Sequence, residues 1–286
     1  MKKYIIWVLI IISYVSVSAQ TTDTTKTDST LNRWIPTFVT GLNISQIAFS
    51  NWTKGGDNAI SWTLTGDFNA QHKSTSWIFK TQLKGAYGRT KLGGNDFRTN
   101  DNDLYFDFVA AYNVGWAVNP YISNSIRTQI TEGFDYSKDT TVKIADFFDP
   151  GYVTQSLGFT YDKLKNFNTR LGIATQETFT NKFRQYSDDP DTKDKKEAFK
   201  LETGIESVSN AELVLDDNLL LKTKFRLFSR FERLEVWDVR WDNTITAKVN
   251  SWLNVNFTFL MIYEKDQSPT AQMKQALQLG IVYNIL

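Results

Sequence analysis

Strict two-residue alternation of apolar and polar side chains is the feature that most narrows what this chain can fold into. It recurs in segment after segment without consolidating into a long apolar run. From Trp237 to Asn250, one face carries Trp237, Val239, Trp241, Ile245, Ala247 and Val249. The other carries Asp238, Arg240, Asp242, Thr244, Thr246 and Lys248. A period of two is that of an extended strand with different surroundings on its two sides. The segment from Leu253 to Tyr263 repeats the pattern with Leu253, Val255, Phe257, Phe259, Met261 and Tyr263. The C-terminal segment repeats it with Met273, Leu277, Leu279, Ile281, Tyr283 and Ile285. Earlier, Ile60, Trp62, Leu64, Phe68 and Ala70 alternate with Ser61, Thr63, Thr65, Asp67 and Asn69.

Such runs are expected at 39–50, 58–71, 76–89, 102–115, 119–134, 151–162, 166–179, 197–213, 217–232, 236–250, 252–264 and 271–286. Each is long enough, at about 3.3 Å per residue and a steep tilt, to cross a bilayer core. After the N-terminal segment no stretch reaches the roughly 20 apolar residues that a membrane helix needs. The expected fold is therefore all-β, a transmembrane antiparallel up-and-down β-barrel of about twelve strands.

Connection lengths supply an orientation. Short turns are expected at His72 to Thr75, Gly115 to Val118, Asp162 to Lys165, Leu213 to Asp216 and around Ser251. Long connections are expected at Thr90 to Asp101, Asp135 to Pro150 and Thr180 to Lys196. Bacterial barrels put short turns in the periplasm and long loops outside. Trp77, Trp116, Tyr161, Phe167 and Tyr283 then form an inner aromatic girdle. Trp62, Phe179, Phe199, Trp237 and Tyr263 form the outer one.

The N-terminus reads as an export signal. Lys2 and Lys3 precede an apolar stretch from Tyr4 to Ile12, and the small residues Val17, Ser18 and Ala19 precede Gln20. Cleavage is expected after Ala19, and export implies placement in the bacterial outer membrane. Three regions follow: signal peptide 1–19, a disordered periplasmic tether 20–37, and the barrel 38–286. The tether carries the run TTDTTKTDST, which has no apolar residue to bury. Asp23 to Thr25 and Asp28 to Thr30 within it have the pattern of short Asp-Ser/Thr glycosylation acceptors. The chain has no cysteine, so neither a lipid-bearing cysteine nor a disulfide framework is available. With 32 Lys and Arg against 31 Asp and Glu, no net field points to nucleic acid.

Asn51-Trp52-Thr53-Lys54-Gly55-Gly56-Asp57-Asn58, leading into Ile60 to Leu64, resembles the opening motif of the domain of unknown function 3078 family of Bacteroidetes outer-membrane proteins. The resemblance extends from about Asn43 to the C-terminus. It implies an outer-membrane barrel and no particular activity. Physically, Gly55 and Gly56 suit a tight outside turn that needs positive φ, with Asn58 as its hydrogen-bonding partner and Trp52 capping the girdle.

Catalytic chemistry finds little support. His72-Lys73-Ser74 has the spacing of an outer-membrane phospholipase pair, but it falls at the expected periplasmic rim, and His72 is the sole histidine. No enzyme and no cofactor is expected. Asp96 with Asn100, Asp101, Asn102 and Asp103, and separately Asp188, Asp189, Asp191 and Asp194, offer oxygen ligands for Ca²⁺ without the spacing of a known calcium loop. Solvated acidic loops are the simpler reading, and no metal is assigned.

The lumen wall is the expected site. Parity turns Lys80, Lys84, Asp107, Arg127, Arg170, Glu202, Glu206, Lys222, Lys224, Arg226, Asp238, Arg240, Asp242 and Lys248 inward, because charges facing lipid cost several kcal/mol. Glu202 and Glu206 are expected beside Lys222, Lys224 and Arg226, which adjoin Asp238, Arg240 and Asp242. Two functions follow. One is a narrow pore whose mixed-charge wall selects small solutes. The other is a non-conducting structural or assembly barrel whose outer loops hold a partner protein or surface glycan. Outer-membrane lipid surrounds either.

Overall fold

In the computed structural model, the described residues are 31–51, 53–137, 140–188, 192, 195–266 and 268–286. The expected signal peptide, most of the tether, and Trp52 lie outside them. Fourteen strands follow in chain order. The first seven are β1 (Trp34–Ile47), β2 (Ala59–Lys73), β3 (Trp77–Leu92), β4 (Arg98–Tyr112), β5 (Asn119–Thr128), β6 (Gly133–Asp135) and β7 (Val142–Ala145). The remaining seven are β8 (Gly151–Leu164), β9 (Phe167–Phe179), β10 (Phe199–Asp216), β11 (Leu219–Arg230), β12 (Asp238–Lys248), β13 (Leu253–Tyr263) and β14 (Gln272–Asn284).

All but β6 and β7 join one closed barrel of twelve strands, in which each strand pairs with its chain neighbour. β14 returns antiparallel to β1, with Leu42 opposite Ile281 and Ile44 opposite Leu279. Closure removes both sheet edges, so the backbone polar groups of the strands are satisfied within the wall. The faces divide as the alternation requires. Leu64, Leu83, Ile122, Leu157, Leu171, Ile173, Leu201, Leu277 and Ile281 stand exposed on the outside, whereas Thr154, Ser156, Arg170 and Glu206 are buried within. A water-soluble protein would have this inside out, so the apolar belt fits a barrel spanning a bilayer.

Several expectations need adjustment. Trp34 to Thr37 belong to β1 rather than to the tether. The strand expected at 119–134 stops at Thr128, and a separate hairpin, β6–β7, occupies the connection to β8. The cause is Asn102 of β4. Its carboxamide accepts the N–H groups of Ile130 and Thr131 and donates to the carbonyls of Thr131 and Glu132, so one side chain replaces the ladder there. The loop expected at Thr90 to Asp101 is mostly strand, because β3 runs to Leu92 and β4 starts at Arg98, with a register shift at Gly88/Arg89.

The barrel is flattened. Gly158 and Gly172 face each other across β8 and β9, and a Cβ on Gly158 would meet the carbonyl oxygen of Leu171 and the Cα of Gly172. A Cβ on Gly204 would run into the carbonyl oxygen of Ser229 on β11. Glycine at such points lets the sheet turn sharply. Tyr121 of β5 pairs with Gly158 and fills the space over the glycine pair, almost fully buried.

Candidate functional site

The interior is crossed by side chains from strands that are not neighbours in the wall. Near the short-turn end, Lys80 of β3 pairs with Asp162 of β8 at 3.4 Å, and Asn119 donates to the same carboxylate. A cavity of about 30 Å³, roughly one water, lies between these residues and Arg170. Deeper in, Arg170 of β9 reaches past β8 and β5 to Asp107 of β4. It makes two parallel bonds there, Nη1 to Oδ2 at 3.1 Å and Nη2 to Oδ1 at 3.0 Å. This fork is a strong geometry for a guanidinium and a carboxylate. Tyr121, Ser123 and Ser156 make a chain of 2.9 Å bonds beside it.

At mid-barrel, Lys224 of β11 donates to the Tyr105 hydroxyl of β4 at 2.8 Å, with its ammonium 4.1 Å from the ring centroid. Between these strands lie β10, β9, β8 and β5 on one side and β12, β13, β14, β1, β2 and β3 on the other. A round wall of this strand number is too wide for two side chains to span, since about eight strands already fill a barrel. The bond and the glycine corners therefore report the same flattening. Arg127 rests against the Tyr105 ring at 4.5 Å and donates through Nη1 to both carboxylate oxygens of Asp103 at 3.0 Å.

Towards the loop end, Arg226 donates to Glu206 at 2.7 Å and to Gln176 at 2.9 Å, with Phe228 fully buried beneath. Glu202 receives Lys200 at 2.9 Å and Arg230 at 3.1 Å, and Arg230 continues to Asp266 at 2.6 Å. Outside the strands, burial raises the Asp266 carboxyl, but Arg230 and Lys200 outweigh it and hold the group below the usual range. Burial dominates at Glu264, which is held above the usual range although Arg226 and Arg240 oppose the shift.

Of the expected wall residues, Arg127, Arg170, Glu202, Glu206, Lys224 and Arg226 enter this network. Arg240 and Asp242 fork onto each other along β12 at 2.9 and 3.0 Å. Asp238 lies opposite Phe228. Lys222 pairs with Glu212 at 3.3 Å near the short-turn rim, and Lys248 is exposed at the end of β12. Neither joins the contacts across the lumen. Sequence reasoning did not single out Tyr105, Lys200 or Asp266, and it placed Arg230 on the polar face without a role. Tyr105 was legible by parity, being flanked by Leu104 and Phe106 on the apolar face.

In the turn motif, Asn51, Gly55 and Gly56 take φ of 54°, 81° and 116°, and the Asn58 side chain accepts the Phe49 N–H at 2.6 Å. A Cβ on Gly56 would stand 2.9 Å from the Phe49 ring, so both space and backbone favour glycine. His72 faces outward between Trp34 and Phe79, at 5.2 and 6.1 Å, while Ser74 accepts the Trp77 N–H in the turn. Asn100, Asp101, Asn102 and Asp103 lie on β4 rather than in a loop, with Asp101 bound to Lys274 at 2.9 Å. Among the described residues no cluster of His, Cys, Asp or Glu is arranged to hold a metal, and Asp189, Asp191 and Asp194 lie outside them.

No curated protein matches the chain in sequence. Among solved structures, it resembles the translocator domain of autotransporter NalP from Neisseria meningitidis at 8% identity and a TM-score of 0.35, covering 87% of each chain. It also resembles the COG4313 outer membrane channel from Pseudomonas putida F1 at 10% identity and a TM-score of 0.36, covering 92% of this chain and 99% of that one. The likeness to the CymD monoaromatic hydrocarbon channel is 8% at a TM-score of 0.34, covering 89% and 88%. Scores this low leave the closed barrel to rest on this chain's own strand pairing. Residues 44–134, from the last residues of β1 into β6 and including the turn motif, match the model of a protein family of unknown function, DUF3078.

Proposed function

We propose that the protein is an outer-membrane barrel that is sealed rather than conducting, and that it works as a scaffold presenting its loop end to a partner. The observation that carries this reading is the pair of bonds that reach into the lumen onto β4, Arg170 to Asp107 and Lys224 to Tyr105, the second of them from the far wall. The apolar outer belt and the signal-like N-terminus support the outer membrane as its location. A narrow solute pore would have to break both contacts and leave buried charges unpaired. The engagement of Ser74 in a turn and of His72 in an aromatic cluster supports a non-enzymatic role.

Among the described residues, Asp149 gives the loop end a fixed point. The Asp149 carboxylate receives the N–H groups of Asn181, Lys182 and Phe183 at 2.9, 2.8 and 3.4 Å, tying the β5–β8 connection to the β9–β10 connection. A fixed rim suits recognition, because little order is lost on binding. Liposome swelling with small neutral and charged solutes tests the proposal. Swelling no faster than in protein-free vesicles is expected, and rapid swelling that depends on the folded barrel overturns the sealed reading.

A further inference from the structure

We infer that the loop end carries a binding groove for the head group of an anionic glycolipid, a sugar bearing phosphate or carboxylate. This rests on the reading of the chain as an outer-membrane barrel whose loop end is its working surface. The groove, about 380 Å³, lies between the β3–β4 connection and the β6–β7 hairpin, and it is lined by Arg89, Phe97, Arg98, Phe134 and Tyr136, among others. That volume is within the range of small-molecule sites.

Its cations differ from those of the lumen. Among the described residues, Arg170, Arg226, Arg230, Lys200 and Lys80 all have carboxylate partners, whereas no ion pair involves Arg89, Lys91 or Arg98. They lie instead against rings. Arg89 and Lys91 stand 5.6 and 5.9 Å from the centroid of Phe97, and Arg98 stands 5.2 Å from that of Tyr136. Arg89 donates through Nη2 to the Phe97 carbonyl, while its Nε is buried without a hydrogen-bond partner. Tyr136 is fixed by the Thr99 N–H, which donates to its hydroxyl at 3.2 Å.

Such unpaired guanidinium groups suit phosphate or carboxylate, and the rings suit the C–H face of a sugar. Asn95, Asp96 and Thr141 supply partners for hydroxyl groups, and among the described lining residues two guanidinium groups stand against one carboxylate. Placement argues for a membrane-borne sugar. Arg89 pairs with Trp62, whose neighbour Leu64 is on the exposed apolar face, so the groove opens where the belt meets the loop end.

The test uses the full chain folded in nonionic detergent, with monophosphoryl lipid A and its dephosphorylated form as probes and glucose 1-phosphate as a soluble competitor. Binding of the phosphorylated glycolipid at least about tenfold tighter than the neutral one is expected, with that preference lost in R89Q/R98Q. Phe97→Ala should weaken both glycolipids, and Lys222→Gln at the far rim should change neither. Heat-modifiable gel mobility reports whether each variant is folded, and Lys91→Gln, at the groove's edge, gives a second reading by lowering the preference in part. Equal affinity for the two glycolipids, or full preference in a folded R89Q/R98Q, overturns the site. Binding of glucose 1-phosphate without the glycolipid overturns the membrane source. A barrel that swells vesicles yet shows the preference sinks the sealed-lumen reading alone, and a sealed barrel without the preference sinks the groove alone.

Discussion

Asp107→Ala should be among the most damaging single changes in the wall. Asp107 and Arg170 have 14% and 8% of their side-chain surface exposed, so removing the carboxylate leaves a guanidinium that water barely reaches. With charge centres about 4 Å apart and an effective dielectric near 20, the lost attraction is about 4 kcal/mol. This agrees with the roughly 3–5 kcal/mol measured when one partner of a buried pair is removed. One Arg170 donor, Nε, already lacks a partner in the intact pair. Urea unfolding of the barrel in phospholipid vesicles, followed by tryptophan fluorescence, gives the loss directly. The double variant Asp107→Leu/Arg170→Met removes both charges and should recover most of it, leaving a coupling energy of at least about 2 kcal/mol. A single-variant loss below about 1 kcal/mol, or a double variant that costs the sum of its parts, would refute the claim that this pair is buried and mutually dependent.

Gly204→Ala places a methyl group against the backbone of β11 and should cost more than the roughly 1–3 kcal/mol of ordinary overpacking; a folded fraction equal to wild type by heat-modifiable mobility contradicts the sharp corner. Glu264 is held above its usual range, so the fold favours its protonated form, and the associated stability is present at low pH and lost as pH rises through the raised value. Glu264→Gln should therefore stabilise at pH 7 and change nothing in acid, whereas a constant difference across pH removes the argument. Asp149→Ala strips three backbone N–H groups of their acceptor. Limited proteolysis of intact vesicles should then cut the 180–198 connection several times faster, with the strands unchanged.

The alternation made the strands and their faces legible, because one face meets lipid and the other does not. Which charges meet was less legible. The turn expected at Leu213 to Asp216 lies at Asp217 and Asn218, since β10 extends to Asp216. That displacement slides β11 along β10, so Glu206 meets Arg226, Glu202 meets Arg230, and Lys222 is left to Glu212. Contacts across the lumen were out of reach, since Lys224 and Tyr105 meet only because the barrel is flattened at glycines whose role depends on their position. The early end of β5 was hidden for a similar reason, as a single asparagine, Asn102, substitutes for a length of ladder.

Single-channel recording in planar lipid bilayers tests the sealed lumen most directly. Wild-type protein, shown to be folded and inserted, should give no stable conductance steps at either polarity. The variant Lys224→Ser/Arg170→Ser/Asp107→Ser, which removes the Lys224–Tyr105 and Arg170–Asp107 contacts, should open them. Discrete ohmic steps from the wild type, reproduced across independent insertions, would contradict the account.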